Sequence, residues 1–393
     1  MLPGRDQAAI LKRIQGEMAK AELDAMILTS AGSIFYATGF AVRSLYRSGK
    51  TGNAAVVVTA DGEVSLICSE FEKYAAVQVC DKQIKIEAYP VWIYIEDYAT
   101  EGMTKEVQPD LNRTYRIAAD LIPVKKDDVR IGIESKWITF NGESYLRERF
   151  GSEHVKDCTK ALDLARMIKT PWEVEVLRHN AKISEKAMLI TAKEIVPGMT
   201  TEDVHYIFHK NCLEMCHDMT AVSQSHTIAG DIAPAWIPAP TRIDRGDLIR
   251  LDGGPYSSGY KSDLGRTFAV GNVAAKDRME LYETLYRGYA WAIEHIGPGV
   301  PMCDIFNGIQ KEIGLKHYIR GHHGHSISCD ISGEEYPFIA PKEQRVFEPG
   351  MVMCVETPFY STSRQTYNIE DTFVVTENGI DLFTKAPDTM FIC

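Results

Sequence analysis

The feature that most constrains this 393-residue chain is a set of carboxylates placed where apolar strands begin or end. Leu248-Ile-Arg-Leu-Asp252-Gly-Gly closes an apolar run on a carboxylate, and eleven residues later Lys261-Ser-Asp263-Leu-Gly-Arg-Thr-Phe opens another. Gly350-Met-Val-Met-Cys-Val-Glu356 and Tyr367-Asn-Ile-Glu370-Asp-Thr-Phe repeat the arrangement. A buried, unpaired carboxylate costs several kcal/mol or changes its protonation, so four in strand contexts need a common partner. Four carboxylates and one neutral imidazole balance two divalent cations. Oxygen-rich donors with one His suit Mn, Co, Fe or Zn in a two-metal hydrolytic site.

Around this cluster the chain reads as two domains. Leu11, Ile14 and Met18 recur at helical spacing between Asp6 and Lys20. Strands are expected at Asp24–Ser30, at a hairpin formed by Ala54–Thr59 and Val64–Cys68, and at Ile84–Tyr89 and Val129–Ile133. This alternation predicts an α/β domain over residues 1–162. The long helical stretch Glu173–Ile195 opens a second domain, residues 163–393, with strands at Asp247–Asp252 and Arg266–Val270. Ile195-Val-Pro-Gly…Asp203-Val204 and Ile296-Gly-Pro-Gly…Asp304-Ile305 match at an offset of 101 residues. Common turn chemistry and a duplicated half-domain with a pseudo-two-fold axis both account for that match.

Composition narrows the function. A formal charge of -11 opposes nonspecific nucleic-acid binding, and no apolar run is long enough to span a membrane. The first residues carry charges throughout and lack the apolar core of a signal peptide. Nine irregularly spaced cysteines then predict a reduced, cytoplasmic protein, and composition leaves an enzyme, which would take a small-molecule substrate, or a binding protein.

The carboxylate motifs resemble those of the M24 metallopeptidases, which include methionine aminopeptidase, Xaa-Pro aminopeptidase, prolidase and metal-free creatinase. The matching stretches are Asp252-Gly-Gly…Gly259-Tyr-Lys-Ser-Asp263-Leu-Gly-Arg266-Thr267, Gly324-His325, Glu348-Pro-Gly-Met-Val-Met-Cys-Val-Glu356 and Ile369-Glu370-Asp371-Thr372. The resemblance implies that Asp252, Asp263, His325, Glu356 and Glu370 are the ligands of two divalent ions (Mn, Fe, Co or Zn). Ser33-Ile-Phe-Tyr-Ala-Thr-Gly-Phe40 resembles the family's N-terminal domain, and Arg166-Met-Ile-Lys-Thr-Pro-Trp-Glu173 the start of its catalytic domain. The implied architecture is α+β: a pita-bread catalytic domain with pseudo-two-fold symmetry, preceded by a smaller α/β domain, in a homodimer.

Three residues of the proline-specific members are missing. No His stands at Ala235-Trp236-Ile237, none at Ser332 or Glu334, and Asn368 replaces an Arg. The expectation is a metal-dependent hydrolase of a small peptide-like, amide or amidine substrate, with Glu356 or Glu334 relaying the proton and His325 on the metal. Glu334-Glu-Tyr-Pro also resembles the segment of dimethylsulfoniopropionate lyase that carries a carboxylate base, so a metal-dependent lyase is the alternative; a non-catalytic scaffold is the third reading. His322 and His323 are candidate substrate donors. Trp236 is a candidate substrate wall, and Tyr260 is either a substrate contact or packing. His226 is a candidate replacement for a lost imidazole. His205 and His209 read as a surface helix pair, and Cys212, Cys216 and His217 lack a second ligand cluster.

Overall fold

Two hydrophobic cores divide the chain. The computed structural model describes residues 4–49, 51–91, 110–123, 128–216, 224–225, 228–229, 240–330, 334–360 and 366–393. The contacts separate a unit of Arg5–Arg166 with Cys329–Ile331 from one built on Met167–Ser328 and Ser332–Cys393, with Met1–Gly4. Leu162, the expected boundary, lies inside the helix Thr159–Met167.

In the N-terminal unit the helix Gln7–Lys20 starts where the Asp6 carboxylate accepts from the backbone N–H of Ala9. Its buried stripe is Ile10, Ile14 and Met18, with Leu11 at the flank rather than on it, because steps of four keep one face inward. Six strands form one sheet in the order Lys85–Tyr89, Val64–Ser69, Ala55–Thr59, Ala25–Leu28, Ile131–Ile133, Val155–Asp157. The expected hairpin is present, with Val56 opposite Leu66. Strands Ala25–Leu28 and Ala55–Thr59 are buried at every position, which explains their unbroken apolar runs. Ile27, Val57, Ile67, Ile131 and Ile133 meet Tyr115, Ala118 and Leu146 from flanking helices in this core.

The C-terminal unit is built twice over. Its first long helix, Pro171–Glu194, begins with a capping box: the Thr170 hydroxyl accepts from the N–H of Glu173, and the Glu173 carboxylate accepts from the N–H of Thr170. The helix ends at Ile195, the chain turns through Pro-Gly, and a second helix runs Thr201–Met215. Lys276–His295 ends at Ile296 in the same way and is followed by Met302–Ile313.

The hydrogen bonds of the two turns correspond. Gly198 donates to the carbonyl of Ile243 (2.8 Å) as Gly299 does to that of Phe347 (2.9 Å). Thr201 donates to Thr241 (3.0 Å) as Met302 does to Arg345 (2.9 Å), and the bridges Thr200–Arg242 and Pro301–Val346 complete the match. The 101-residue repeat is therefore structural. The offset of 104 that relates Ile243 to Phe347 also relates Asp252 to Glu356, at the ends of the strands Leu248–Gly254 and Val352–Glu356.

These strands join Gly265–Ala269 and Glu370–Thr376 in the middle of a ten-stranded sheet. Gly265 lies opposite both Asp252 and Glu370, and Glu356 lies opposite Glu370. Register alone thus gathers three of the carboxylates.

A fully buried aspartate braces the last of these strands. Asp371 accepts from Arg266 Nη2 (2.8 Å), the Tyr289 hydroxyl (2.5 Å), the Thr384 hydroxyl and the N–H of Ala386 (2.7 Å). Asp371→Ala leaves the Arg266 guanidinium without this partner in the interior and should cost about 3–5 kcal/mol of stability. Urea denaturation of the two proteins reads this directly, and a loss below about 1 kcal/mol would remove Asp371 from its bracing role.

Candidate metal centre

Alternation along extended chain turns Asp252, Glu356 and Glu370 to one face of the sheet, and the turn before Gly265 brings Asp263 to them. Oxygens of Asp252, Asp263 and Glu370 lie within 4.8 Å of one another, as do ligand atoms of His325, Cys354 and Glu370. His325 Nε2 is 3.8 Å from Asp263 Oδ2. Its Nδ1 faces the carbonyl of Ser326 at 2.9 Å, so Nδ1 carries the proton and Nε2 keeps the lone pair a metal needs. Gly324 explains the Gly-His pair: it has φ +148°, and a Cβ there would lie 2.0 Å from the carbonyl oxygen of Cys354.

Asp252, Asp263, His325 and Glu370 therefore converge, and register sets Glu356 against Glu370. Burial first, then Asp263, Asp252 and Glu356, pushes the Glu370 carboxyl well above its ordinary range. Burial also raises Glu356, against the pull of Arg320.

Each carboxylate has a donor close at hand. Arg250 Nη1 is 3.0 Å from Asp252 Oδ2, Lys261 Nζ is 3.5 Å from Asp263 Oδ2, and Arg320 Nη2 is 2.7 Å from Glu356 Oε1. Asn368 Nδ2 donates to Glu370 Oε2 at 2.9 Å and to Asp252 Oδ2 at 3.1 Å. Asn368 reaches this place because residue 265 is glycine: a Cβ there would stand 2.2 Å from Asn368 Nδ2. Burial disfavours the Lys261 ammonium, but Asp263 and Asp252 more than offset it and hold its pKa above that of an ordinary lysine.

Sequence reasoning missed Arg250, Lys261 and Arg320, although a signal existed for the first two. Arg250, Lys261 and Asn368 each stand two residues before a carboxylate, the spacing that puts two side chains on one face of extended chain. Arg320 lies outside any such pattern, and only the tertiary structure brings it to Glu356.

The remaining candidates separate. His322 sits between two carboxylates, with Nδ1 3.4 Å from Glu356 Oε1 and Nε2 3.6 Å from Glu334 Oε2. Burial lowers its pKa to about 4. His323 is fully buried, with Nδ1 2.9 Å from the carbonyl of Glu356 and Nε2 2.8 Å from Gln310 Nε2, so it supports the backbone. Burial takes its pKa to about 3. Glu334 is 55% exposed.

Tyr260, a candidate substrate contact, is fully buried: its hydroxyl donates to Glu173 Oε1 at 2.8 Å, its ring meets Trp172 edge-on, and its carbonyl accepts from Asn180. It ties the capping box of the first helix to the strand leading into Asp263. His205 and His209 stack at 4.1 Å on their helix, and no third ligand joins them among the described residues. Trp236, His226, His217 and Ser332 lie outside the described residues.

No helix among the described residues is long and apolar enough to cross a membrane. The profile of metallopeptidase family M24 matches residues 175–377, and that of the creatinase/prolidase N-terminal domain matches residues 10–168. An Xaa-Pro dipeptidase of Pyrococcus furiosus is 29% identical over 273 residues, covering 68% of this chain and 76% of that protein. The uncharacterized peptidase YqhT of Bacillus subtilis is 25% identical over 391 residues, covering 97% and 99%. The solved Xaa-Pro dipeptidase from Bacillus anthracis superposes with a TM-score of 0.79 at 21% identity, over 99% of this chain and all of that one, which establishes a shared pita-bread fold. The chain therefore belongs to metallopeptidase family M24, with a creatinase/prolidase N-terminal domain ahead of its catalytic domain.

Proposed function

We propose that the chain is a metal-dependent hydrolase of a small amide, dipeptide-like or amidine-like substrate, and a poor Xaa-Pro dipeptidase. The observation that carries this reading is the convergence of Asp252, Asp263 and Glu370 with the Nε2 face of His325, with Glu356 set against Glu370 by strand register. The donor set fits a divalent ion, being oxygen-rich with one imidazole of defined tautomer, and Asp252, Asp263, His325, Glu356 and Glu370 would hold it. Bound there, the ion supplies a Lewis acid and lowers the pKa of water.

The chain's own part is proton handling. Glu356 accepts a proton in the interior, and His322, in reach of both Glu356 and Glu334, passes it toward the leaving nitrogen. An imidazole is therefore available near the ligands, although it stands before the ligand His rather than after it. The relative named Xaa-Pro dipeptidase supports the hydrolase class. Against proline specificity stands Asn368, whose amide is committed to two carboxylates and lacks the planar fork of the arginine it replaces. The lyase alternative rests on Glu334, which is half-exposed beside His322, and the comparisons add nothing to it. The same resemblance implies a homodimer, which sedimentation would read directly.

Amine release from Xaa-Pro dipeptides, N-acyl amino acids and a cyclic amidine, measured with added Mn²⁺ or Co²⁺, tests this reading. Turnover is expected on a substrate outside the Xaa-Pro group, with Xaa-Pro cleavage roughly 10²–10⁴-fold below that of a true prolidase. Efficient Xaa-Pro cleavage would overturn the specificity. Asp263→Ala and Glu370→Ala should each abolish turnover in a chain that stays folded by circular dichroism; full activity in either would sink the site. His322→Gln should slow turnover by about 10² or more with little change in KM, whereas an unchanged rate would exclude His322 from the proton path.

A further inference from the structure

We infer that this centre holds one divalent cation rather than the two its ligand motifs imply, because three side chains of the protein already supply the charge of the second. The inference deepens the hydrolase reading and rests on it. Asp252, Asp263, Glu356 and Glu370 bring four negative charges once ionised, as carboxylates must be to ligate a cation. Arg250, Lys261 and Arg320 bring three positive charges to within 3.0, 3.5 and 2.7 Å of Asp252, Asp263 and Glu356. The sum before any metal binds is one negative charge. One divalent ion turns that to a single positive charge. Two would leave three positive charges in a buried pocket, where like charges repel far more strongly than in water.

The cations are not positioned to move aside. Arg250 is 6% exposed, its Nη1 donates to the Tyr360 hydroxyl at 2.9 Å, and its guanidinium carbon lies 4.9 Å from the centre of that ring. Arg320 flanks the same ring at 5.8 Å and also donates from Nε to the carbonyl of His322. Arginine keeps its charge at any working pH, so neither guanidinium can vacate its place by losing a proton. Lys261 is 9% exposed beside Asp263. Asp263 and Glu370 would be the central ligands of the ion. Glu370 belongs to both ligand groupings, and Asp263 is the carboxylate that His325 Nε2 faces.

Native mass spectrometry of the metal-free chain, titrated with Co²⁺ and separately with Mn²⁺, counts the ions. One per chain is expected for the wild type. The double variant Lys261→Met/Arg320→Gln removes two positive charges, so with two ions bound its pocket carries the same net charge as the wild type with one; it should bind two. Two ions on the wild type would overturn the inference and leave the hydrolase reading standing. None would overturn both. A folded double variant that still binds only one would show that charge is not what limits the count. Should that variant fail to fold, Arg320→Gln alone should bind its first ion at least about tenfold more tightly, since a cation has been taken from beside Glu356; unchanged affinity would overturn the inference.

Discussion

The C-terminal unit is organised around the cost of holding carboxylates inside a sheet. Asp252, Asp263, Glu356 and Glu370 repel one another, and burial denies them water. Such a cluster persists only if rigid backbone holds it and positive charge faces it. Both conditions are met by elements far apart in the chain. The sheet register sets Glu356 against Glu370 and Gly265 against both Asp252 and Glu370, and each carboxylate meets a donor within 3.5 Å.

Duplication supplies the geometry. Two helix–Pro-Gly–helix turns, each clamped by corresponding backbone bonds to the segment that leads into a following strand, precede Asp252 and Glu356 at corresponding strand ends. The motif residues that do not face the centre hold it in place. Glu173 caps the first helix and accepts from Tyr260, fixing the approach to Asp263. Asp371 points away from Glu370, since neighbours on a strand alternate, and locks that strand to Arg266, Tyr289 and the backbone of Ala386. Keeping the geometry of the centre therefore falls in part to two buried acids outside the ligand set.

What sets this centre apart from its motifs is its own cation set. A pocket of four carboxylates takes two divalent ions to reach neutrality, whereas here guanidinium and ammonium groups do most of that work. Tyr360 lies beside both Arg250 and Arg320, and Asn368 reaches over Gly265 to the carboxylates.

Local pattern determined a good deal. The helix after Asp6, the hairpin at Val56 and Leu66 and the Pro-Gly repeat are properties of neighbouring residues, so the order of amino acids is enough to make them legible, whereas the capping box at Thr170 begins its helix two residues before the expected Glu173. The four carboxylates are legible in the same way, because a carboxylate interrupting an apolar strand is costly and needs a reason, whereas His325 is picked out only by the family resemblance. Four things were decided only by the tertiary structure. Leu11 yields the buried face to Ile10, since which side of a helix meets the core depends on what packs there. Tyr260, near a ligand in sequence, turns away to Glu173, and His323 faces Glu356's carbonyl and Gln310 while its neighbour His322 enters the site. Arg320 finds Glu356 across 36 residues. Sequence records which charges a chain carries, but their sum at one point in space depends on long-range register, and that sum governs what the centre can bind.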